Sequence, residues 1–386
     1  MKIAIPGERR AHETRVGATP ETVRKFVGLG FEVSVESGAG AGASIGDGAY
    51  ETAGATVVAD EAGTLKDADI VLKVRRPLIA GEGGDDELGL IKKGALLIGM
   101  LSPYEDKAAL GAYAKAGVTA ITMEFVPRIT RAQSMDVLSS QSNLAGYKAV
   151  IDAAALFGRA MPMMMTAAGT VAPARVFVLG AGVAGLQAVA TARRLGAIVS
   201  ATDVRPVARE QVESLGAKFV MVENEETREA ETAGGYAREM SDDYKRQQAE
   251  LVAETLKKQD IVICTALIPG RPAPKLISGE MVHSMGGGSI IVDLAVESGG
   301  NCAFSKPGEV VDVDGVLVMG HHNVPGRIAV DSSALYARNL LNFLSPLVDQ
   351  ESGALAIDWD DEIIRATVLT RDGAIVHPAF SEAENA

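Results

Sequence analysis

Cysteine is nearly absent from this chain: Cys264 and Cys302 are the two in 386 residues, and neither has metal-ligand spacing around it. Two thiols make no disulfide framework at this size, so a reducing cytoplasm is the expected setting. Aromatic residues supply only 4% of the chain against 47% apolar residues in all, so the core must be built from Ala, Val, Leu, Ile and Met. Positive charge is also scarce, with 37 Lys and Arg facing 50 Asp and Glu for a net charge of −13. That balance argues against nucleic acid or an anionic membrane surface as a direct electrostatic partner. The longest weakly polar stretch, 176–192, holds three glycines and is too interrupted for a membrane span. The opening MKIAIPGERR enters a short strand at once and carries charge where a signal peptide needs an apolar core, which predicts a soluble protein.

What is present centres on RVFVLGAGVAGLQAVATARRLGAIVSATDVR, residues 175–205. An apolar strand runs into Gly180, Gly182 and Gly185, then an Ala-rich helix, then a second strand ending at Asp203. Gly180 permits a tight turn, Gly182 lets the backbone approach a pyrophosphate, and Gly185 lets helix and strand pack closely. The helix N-terminus, beginning at Val183, attracts the phosphate charge. Asp203 stands eighteen residues past Gly185, where a carboxylate accepts from both ribose hydroxyls. Strand, triplet, helix, strand and acid arrive in the right order, so dinucleotide binding is expected. The acid repels a 2′-phosphate and favours NAD(H), although Arg205 is close enough to offset that repulsion. Asp203, Val204 and Arg205 are expected around the adenosine ribose. Thr265, Ala266 and Leu267 follow the strand ending at Cys264 and should lie under the cofactor, where parallel strands end.

A fold follows from the same periodicity. Apolar strands at 2–5, 31–35, 55–58, 70–74, 95–100 and 118–123 predict a parallel, doubly wound α/β domain. Thr19 and Pro20 mark the start of its first helix. Gly38, Gly40 and Ala43 also have the fingerprint spacing, but only about eight following residues suit a helix, so they read as an interdomain loop. A long helix is expected from Ser139 to about Arg159, then the nucleotide domain, with later strands at 260–264, 289–292 and 316–319. A final helix over 326–344 should return the chain to the first domain. The expected architecture is two Rossmann-like domains, the first formed by 1–138 plus 327–386 and the nucleotide domain, 139–326, inserted into it. The methionines of Met161-PMM-Met165 read as adaptable core packing. The acidic stretch at 223–243 carries Gly234-Gly235 and Tyr236. It admits two readings, a solvated surface loop or a mobile lid with a glycine hinge and Tyr236 over bound nucleotide.

An acid–base residue is conspicuously missing. The five histidines, His12, His283, His321, His322 and His377, fall away from the predicted strand ends of the first domain and read as structural or exposed. No metal site is expected. GERRAHETRVGATP (7–20) and ADIVLKVRRP (68–77) resemble the alanine dehydrogenase and transhydrogenase superfamily. In alanine dehydrogenases, that resemblance implies, residues matching Arg15 and Lys73 hold a substrate carboxylate and carbonyl. VDLAVESGG (292–300) resembles the segment bearing a catalytic aspartate, with Glu297 in its place, and the strand ending at Ser102 offers no histidine where an alanine dehydrogenase has one.

RITRAQSMDVLSSQSNLAGY, residues 128–147, admits on its residues alone an interdomain linker closed by an Arg128–Asp136 ion pair. It is similar to the Arg-Gln-Asp loop of the NAD(H)-binding component of proton-translocating nicotinamide nucleotide transhydrogenases, and the resemblance extends over nearly the whole chain. It implies that Arg128, Gln133, Asp136 and Ser139 hold the nicotinamide end of NAD(H), with Gln133 reaching toward NADP(H) on a partner subunit. It further implies membrane-spanning partners, a homodimer, and a cytoplasmic location at the inner membrane reached through those partners. Hydride transfer between two nicotinamides moves no proton at the reacting carbons, so the missing base is then explained. An alanine-dehydrogenase-like amino-acid oxidoreductase and a catalytically silent NAD-sensing module are the alternatives.

Overall fold

In the computed structural model, which describes residues 1–222, 241–268, 270–349 and 353–381, parallel strands alternate with helices from the first residues onward. The chain divides into two compact units, Met1–Gln141 with Gly326–Ala386, and Ser142–Pro325. The first holds a six-stranded sheet: β1 (Lys2–Ile5), β2 (Glu32–Glu36), β3 (Thr56–Val58), β4 (Ile70–Arg75), β5 (Leu96–Met100) and β6 (Thr119–Thr122). Their order is β3-β2-β1-β4-β5-β6, all parallel, and it reverses direction between β1 and β4. Side chains alternate across the pleat. Ile3, Ile5, Ile70, Leu72, Leu96 and Ile98 face one core, and Ala4, Val71, Leu97 and Ala120 face the other. The first of these cores is completed by Tyr336, Leu340 and Leu344 from the Ala329–Leu344 helix. The return of the chain thus supplies one covering layer of the first sheet.

In the second unit the Val137–Leu156 helix leads to a short antiparallel hairpin, β7 (Met164–Thr166) and β8 (Gly169–Val171). Its sheet comprises β9 (Arg175–Leu179), β10 (Ile198–Thr202), β11 (Lys218–Phe219), β12 (Ile261–Cys264), β13 (Ile290–Asp293), β14 (Val310–Val313) and β15 (Val316–Met319). The order is β11-β10-β9-β12-β13-β15-β14, with the reversal between β9 and β12. The two doubly wound, Rossmann-like sheets expected from the periodicity are present. One addition is β14, an antiparallel edge strand joined to β15 by a tight turn.

Two expectations are corrected. Met161 is buried, but Met163, Met164 and Met165 are 59%, 44% and 76% exposed, so the methionine run is not core packing. Its later residues leave the core because they lead into and form the hairpin, whose two strands are exposed at every residue. The Gly38–Ala43 stretch is not interdomain: it lies within the first unit between β2 and the Asp47–Thr52 helix. Asp47 holds it there, accepting from the Gly38 N–H at 2.9 Å and the Ser37 hydroxyl at 2.7 Å. A carboxylate therefore fills the position where a phosphate would need open backbone donors.

Candidate functional site

In the second unit the glycine turn joins β9 to the Val183–Arg194 helix at the carboxyl end of the sheet, beside the reversal of strand order. Gly180 has a φ of +95°, which a side chain would strain. A Cβ on Gly185 would lie 1.8 Å from the Gly180 carbonyl oxygen, so only glycine permits this helix to approach its own strand. Gly182 differs: a Cβ there would meet nothing nearer than the Arg205 guanidinium at 4.0 Å. Two glycines are demanded by packing, and the third leaves backbone open at the helix start. Gly146, which sequence reasoning passed over, is also a contact glycine, since a Cβ there would lie 2.0 Å from the Ala184 carbonyl oxygen. Its helix, Val137–Leu156, needs that approach to lie against the start of the Val183–Arg194 helix.

Asp203 is buried just past β10 and is already heavily engaged. Its Oδ2 accepts from the Ala181 N–H at 2.7 Å and Arg205 Nη2 at 2.9 Å; its Oδ1 accepts from the Arg205 N–H and Nε, both at 2.9 Å. Arg205, expected beside the adenosine ribose and close enough to offset the carboxylate, forms a two-pronged pair with it. Val204 packs with Val222 on buried Tyr244, a contact with no local sequence signal. Thr265 donates from its hydroxyl to the carbonyls of Leu179 (3.2 Å) and Gly180 (3.0 Å), which brings the Thr265–Ala266–Leu267 stretch onto the glycine turn. Leu267 itself is 47% exposed. Gly235 and Tyr236 lie outside the described residues.

The first unit contains Arg128, Gln133, Asp136 and Ser139. A 3-10 turn over Thr130–Met135 buries Ala132 and Met135, three apart on one face, and leaves Gln133 exposed, as is Arg128. Asp136 caps the Val137–Leu156 helix by accepting from the Ser139 N–H at 2.9 Å, and the Ser139 hydroxyl donates to the same carboxylate. Asn339 and Asn342 donate to the Ser134 carbonyl at 2.8 and 3.1 Å, and Asn339 also accepts from the Ser140 hydroxyl at 2.7 Å. These two asparagines hold the loop backbone on the Ala329–Leu344 helix; about two hundred residues of separation hid them from sequence reasoning.

Arg15 and Lys73 are 4% and 1% exposed and lie by the reversal of the first sheet. Arg15 donates through Nε and Nη2 to the Glu13 carboxylate at 2.8 and 2.7 Å, and through Nη1 to Gln141 at 2.8 Å. Lys73 pairs with Glu87 and lies 3.8 Å from Glu8. Burial alone would lower the Lys73 ammonium, but Glu8 and Glu87 carry it above its ordinary value. Glu8 in turn accepts from the Val74 and Arg75 N–H groups at 2.7 and 3.2 Å. At the end of β5, the Leu101 and Ser102 N–H groups bind Glu124 at 2.8 and 3.0 Å. Glu297 accepts from the Asn323 N–H at 3.0 Å and faces His322 at 3.5 Å. His283 pairs with Asp314, and His377 lies 3.2 Å from the Ala366 carbonyl oxygen.

Two doubly wound sheets, one bearing a glycine turn and an acid at its reversal, define a two-domain Rossmann-like protein. Residues 4–145 match the family "Alanine dehydrogenase/PNT, N-terminal domain" and residues 149–378 "Alanine dehydrogenase/PNT, C-terminal domain". The chain belongs to the alanine dehydrogenase/PNT family. It is 59% identical over 381 residues to the first part of NAD(P) transhydrogenase subunit alpha of Rhodospirillum rubrum, covering 99% of each chain. A transhydrogenase crystal structure from Sinorhizobium meliloti matches with a TM-score of 0.87 at 53% identity, covering 97% of this chain and 100% of that one. Alanine dehydrogenase of Halomonas elongata is more distant, 32% identical over 392 residues and covering 99% of this chain and 96% of that one.

Proposed function

We propose that this chain is the NAD(H)-binding component of a proton-translocating, Re/Si-specific transhydrogenase, active only with partner subunits that bind NADP(H) and span the membrane. The observation that carries this reading is the glycine turn: packing demands Gly180 and Gly185, whereas Gly182 leaves open backbone at a helix N-terminus. That combination fits a pyrophosphate, with Val183 as donor. Asp203, Val204 and Arg205 take the adenosine ribose, and Thr265, Ala266 and Leu267 support the cofactor. Gly235 and Tyr236 are assigned to cover it. Arg128, Gln133, Asp136 and Ser139 are assigned to the nicotinamide end by resemblance. Asn339 and Asn342 support that assignment, since they hold the loop backbone while Gln133 stays exposed.

The nicotinamide supplies the hydride chemistry; the protein's task is to position it, and no side chain need move a proton. Replacing Gln133 by Asn should therefore slow turnover about tenfold while changing NADH affinity little. Equal loss in both would remove its aligning role, as would no loss in either, and a wild-type chain that no NADP-binding partner makes active would favour a silent NAD-sensing module. The exposed Met163–Met165 hairpin supports a homodimer, in which a second copy covers that apolar surface. Among the described residues no helix is long and apolar enough to cross a membrane, which is consistent with a cytoplasmic component held at the inner membrane by other subunits.

The second reading, an alanine-dehydrogenase-like oxidoreductase, draws on buried Arg15 and Lys73. Against it, Glu13 and Glu87 already neutralise those cations, and the stretch 99–102 offers no histidine. NADH oxidation separates the two. The purified chain should be active with an NADP-binding transhydrogenase domain loaded with NADP⁺, and inactive with pyruvate plus ammonia. The reverse pattern would replace the first reading by the second.

A further inference from the structure

We infer that Asn301 is a positioning residue for the nucleotide site, its buried amide fixing the loop that packs on the glycine turn. This rests on reading the second unit as the NAD(H) site. Asn301 is 0% exposed and lies just beyond VDLAVESGG, a segment the proposed reaction leaves without a task. Its Oδ1 accepts from the Ala266 N–H at 3.1 Å, and its Nδ2 donates to the carbonyls of Ala266 and Pro274, both at 2.8 Å. One side chain therefore satisfies both polar groups of Ala266 just where β12 ends and sheet partners run out. Both amide hydrogens are committed, so only one orientation of the amide satisfies its surroundings.

Asn301 is itself tied to the sheet. Asp293, the last residue of β13, accepts from the Asn301 N–H at 2.7 Å and the Cys302 N–H at 3.0 Å through Oδ2, and from the Ala295 N–H at 3.0 Å through Oδ1. The Ser305 hydroxyl donates to the same carboxylate. A chain of bonds thus runs from a rigid strand, through Asp293 and Asn301, to Ala266. The last link has no slack, because a Cβ on Gly180 would lie 2.7 Å from the Thr265 hydroxyl oxygen and 3.2 Å from the Ala266 nitrogen. Loop and turn already touch, so a loop shifted by a few tenths of an ångström displaces the turn.

The test is NADH affinity of the full chain carrying Asn301→Ala, Thr265→Val or both, with Tm recorded for each. Losing these buried bonds should weaken NADH binding about tenfold in Asn301→Ala. The double variant should lose less than the product of the single losses, because both changes act on one loop. A lowered Tm with wild-type affinity in the folded protein would mean a merely structural role and would overturn the inference. Asn301→Asp, the same shape, keeps the acceptor for the Ala266 N–H but turns lone pairs toward two carbonyls, and should also weaken binding. If Asn301→Ala does not fold, Asn301→Asp decides, and wild-type affinity there overturns the inference. A wild-type chain that binds no NADH overturns the NAD(H) reading and this inference with it; equal affinity across wild type and variants overturns this inference alone.

Discussion

The two sheets reverse their strand order in the same way and fill the resulting crevice differently. At the β9/β12 reversal stand three glycines and a helix start, with Asp203 beside them. At the β1/β4 reversal stand the buried side chains of Glu8, Lys73 and Glu87, with the Lys73 ammonium between the two carboxylates, and of Arg15, paired with Glu13. Doubly wound sheets bind ligands at this position because strand ends and helix starts diverge there. The second unit keeps the space and its backbone donors; the first consumes them in ion pairs. One topology therefore yields an open glycine turn and a buried cluster of paired charges, and the difference resides in side chains rather than in the fold.

If that contrast is right, the two crevices should fail differently when altered. The largest effect is expected at Lys73. Lys73→Met leaves Glu8 and Glu87 buried without their cation and should cost about 3–5 kcal/mol of stability. NADH affinity of the remaining folded protein should not change. Denaturant unfolding with parallel NADH titration tests this, and a large loss of affinity would mean the first crevice serves the nucleotide directly. Next come the glycines. Gly185→Ala forces a Cβ to 1.8 Å from the Gly180 carbonyl oxygen and should destabilise by about 3 kcal/mol. Gly182→Ala meets nothing nearer than the Arg205 guanidinium at 4.0 Å, so stability should stay within about 0.5 kcal/mol while NADH binding falls. Equal stability losses in the two variants would erase the distinction between a packing glycine and an open one.

The same contrast explains which parts were legible in the sequence. Strand periodicity located both sheets, with β1 found at Lys2–Ile5 and β15 at Val316–Met319 as expected. The glycine turn was legible because its geometry requires the residue type, so type and spacing alone announce it. The charge cluster was not, because Glu8, Lys73 and Glu87 come from three separate segments and a carboxylate gives no local sign of its partner. Arg15 and Lys73 were visible through resemblance, yet Glu13, Gln141 and Glu87, which occupy them, were not. The methionine run was misjudged for a related reason: composition suggested burial, but the hairpin it leads into is exposed at every strand residue. Asn301 and Asn339 escaped notice because an asparagine in a loop is unremarkable until the backbone groups it satisfies are known.

The smallest expected effect gives the sharpest view of the charge cluster, because it reads a single proton. Around Glu61 the carboxylates of Glu36 and Glu87 face Arg9 and Lys73, so acids outnumber bases. Among the described residues Glu61 Oε1 is buried with no hydrogen-bond partner, and Arg9 Nε lies 3.6 Å from Oε2. Burial, then the hydrogen bond and charge of Glu87, push the Glu61 carboxyl from 4.5 up to about 7, against the opposing pull of Arg9 and Lys73. The folded chain then holds a proton that the unfolded chain releases near 4.5, so folding takes up that proton between the two values. The sign follows: this contribution is complete below about pH 4.5 and is lost as pH rises through about 7. Glu61→Gln keeps the shape and removes the charge, so it should flatten that decline and raise Tm by about 2–4 °C at pH 8 for each kcal/mol recovered, leaving acid-side stability near wild type. Thermal melts across about pH 5 to 8 decide the matter, since parallel slopes in wild type and variant would mean that the surplus proton resides elsewhere in the cluster.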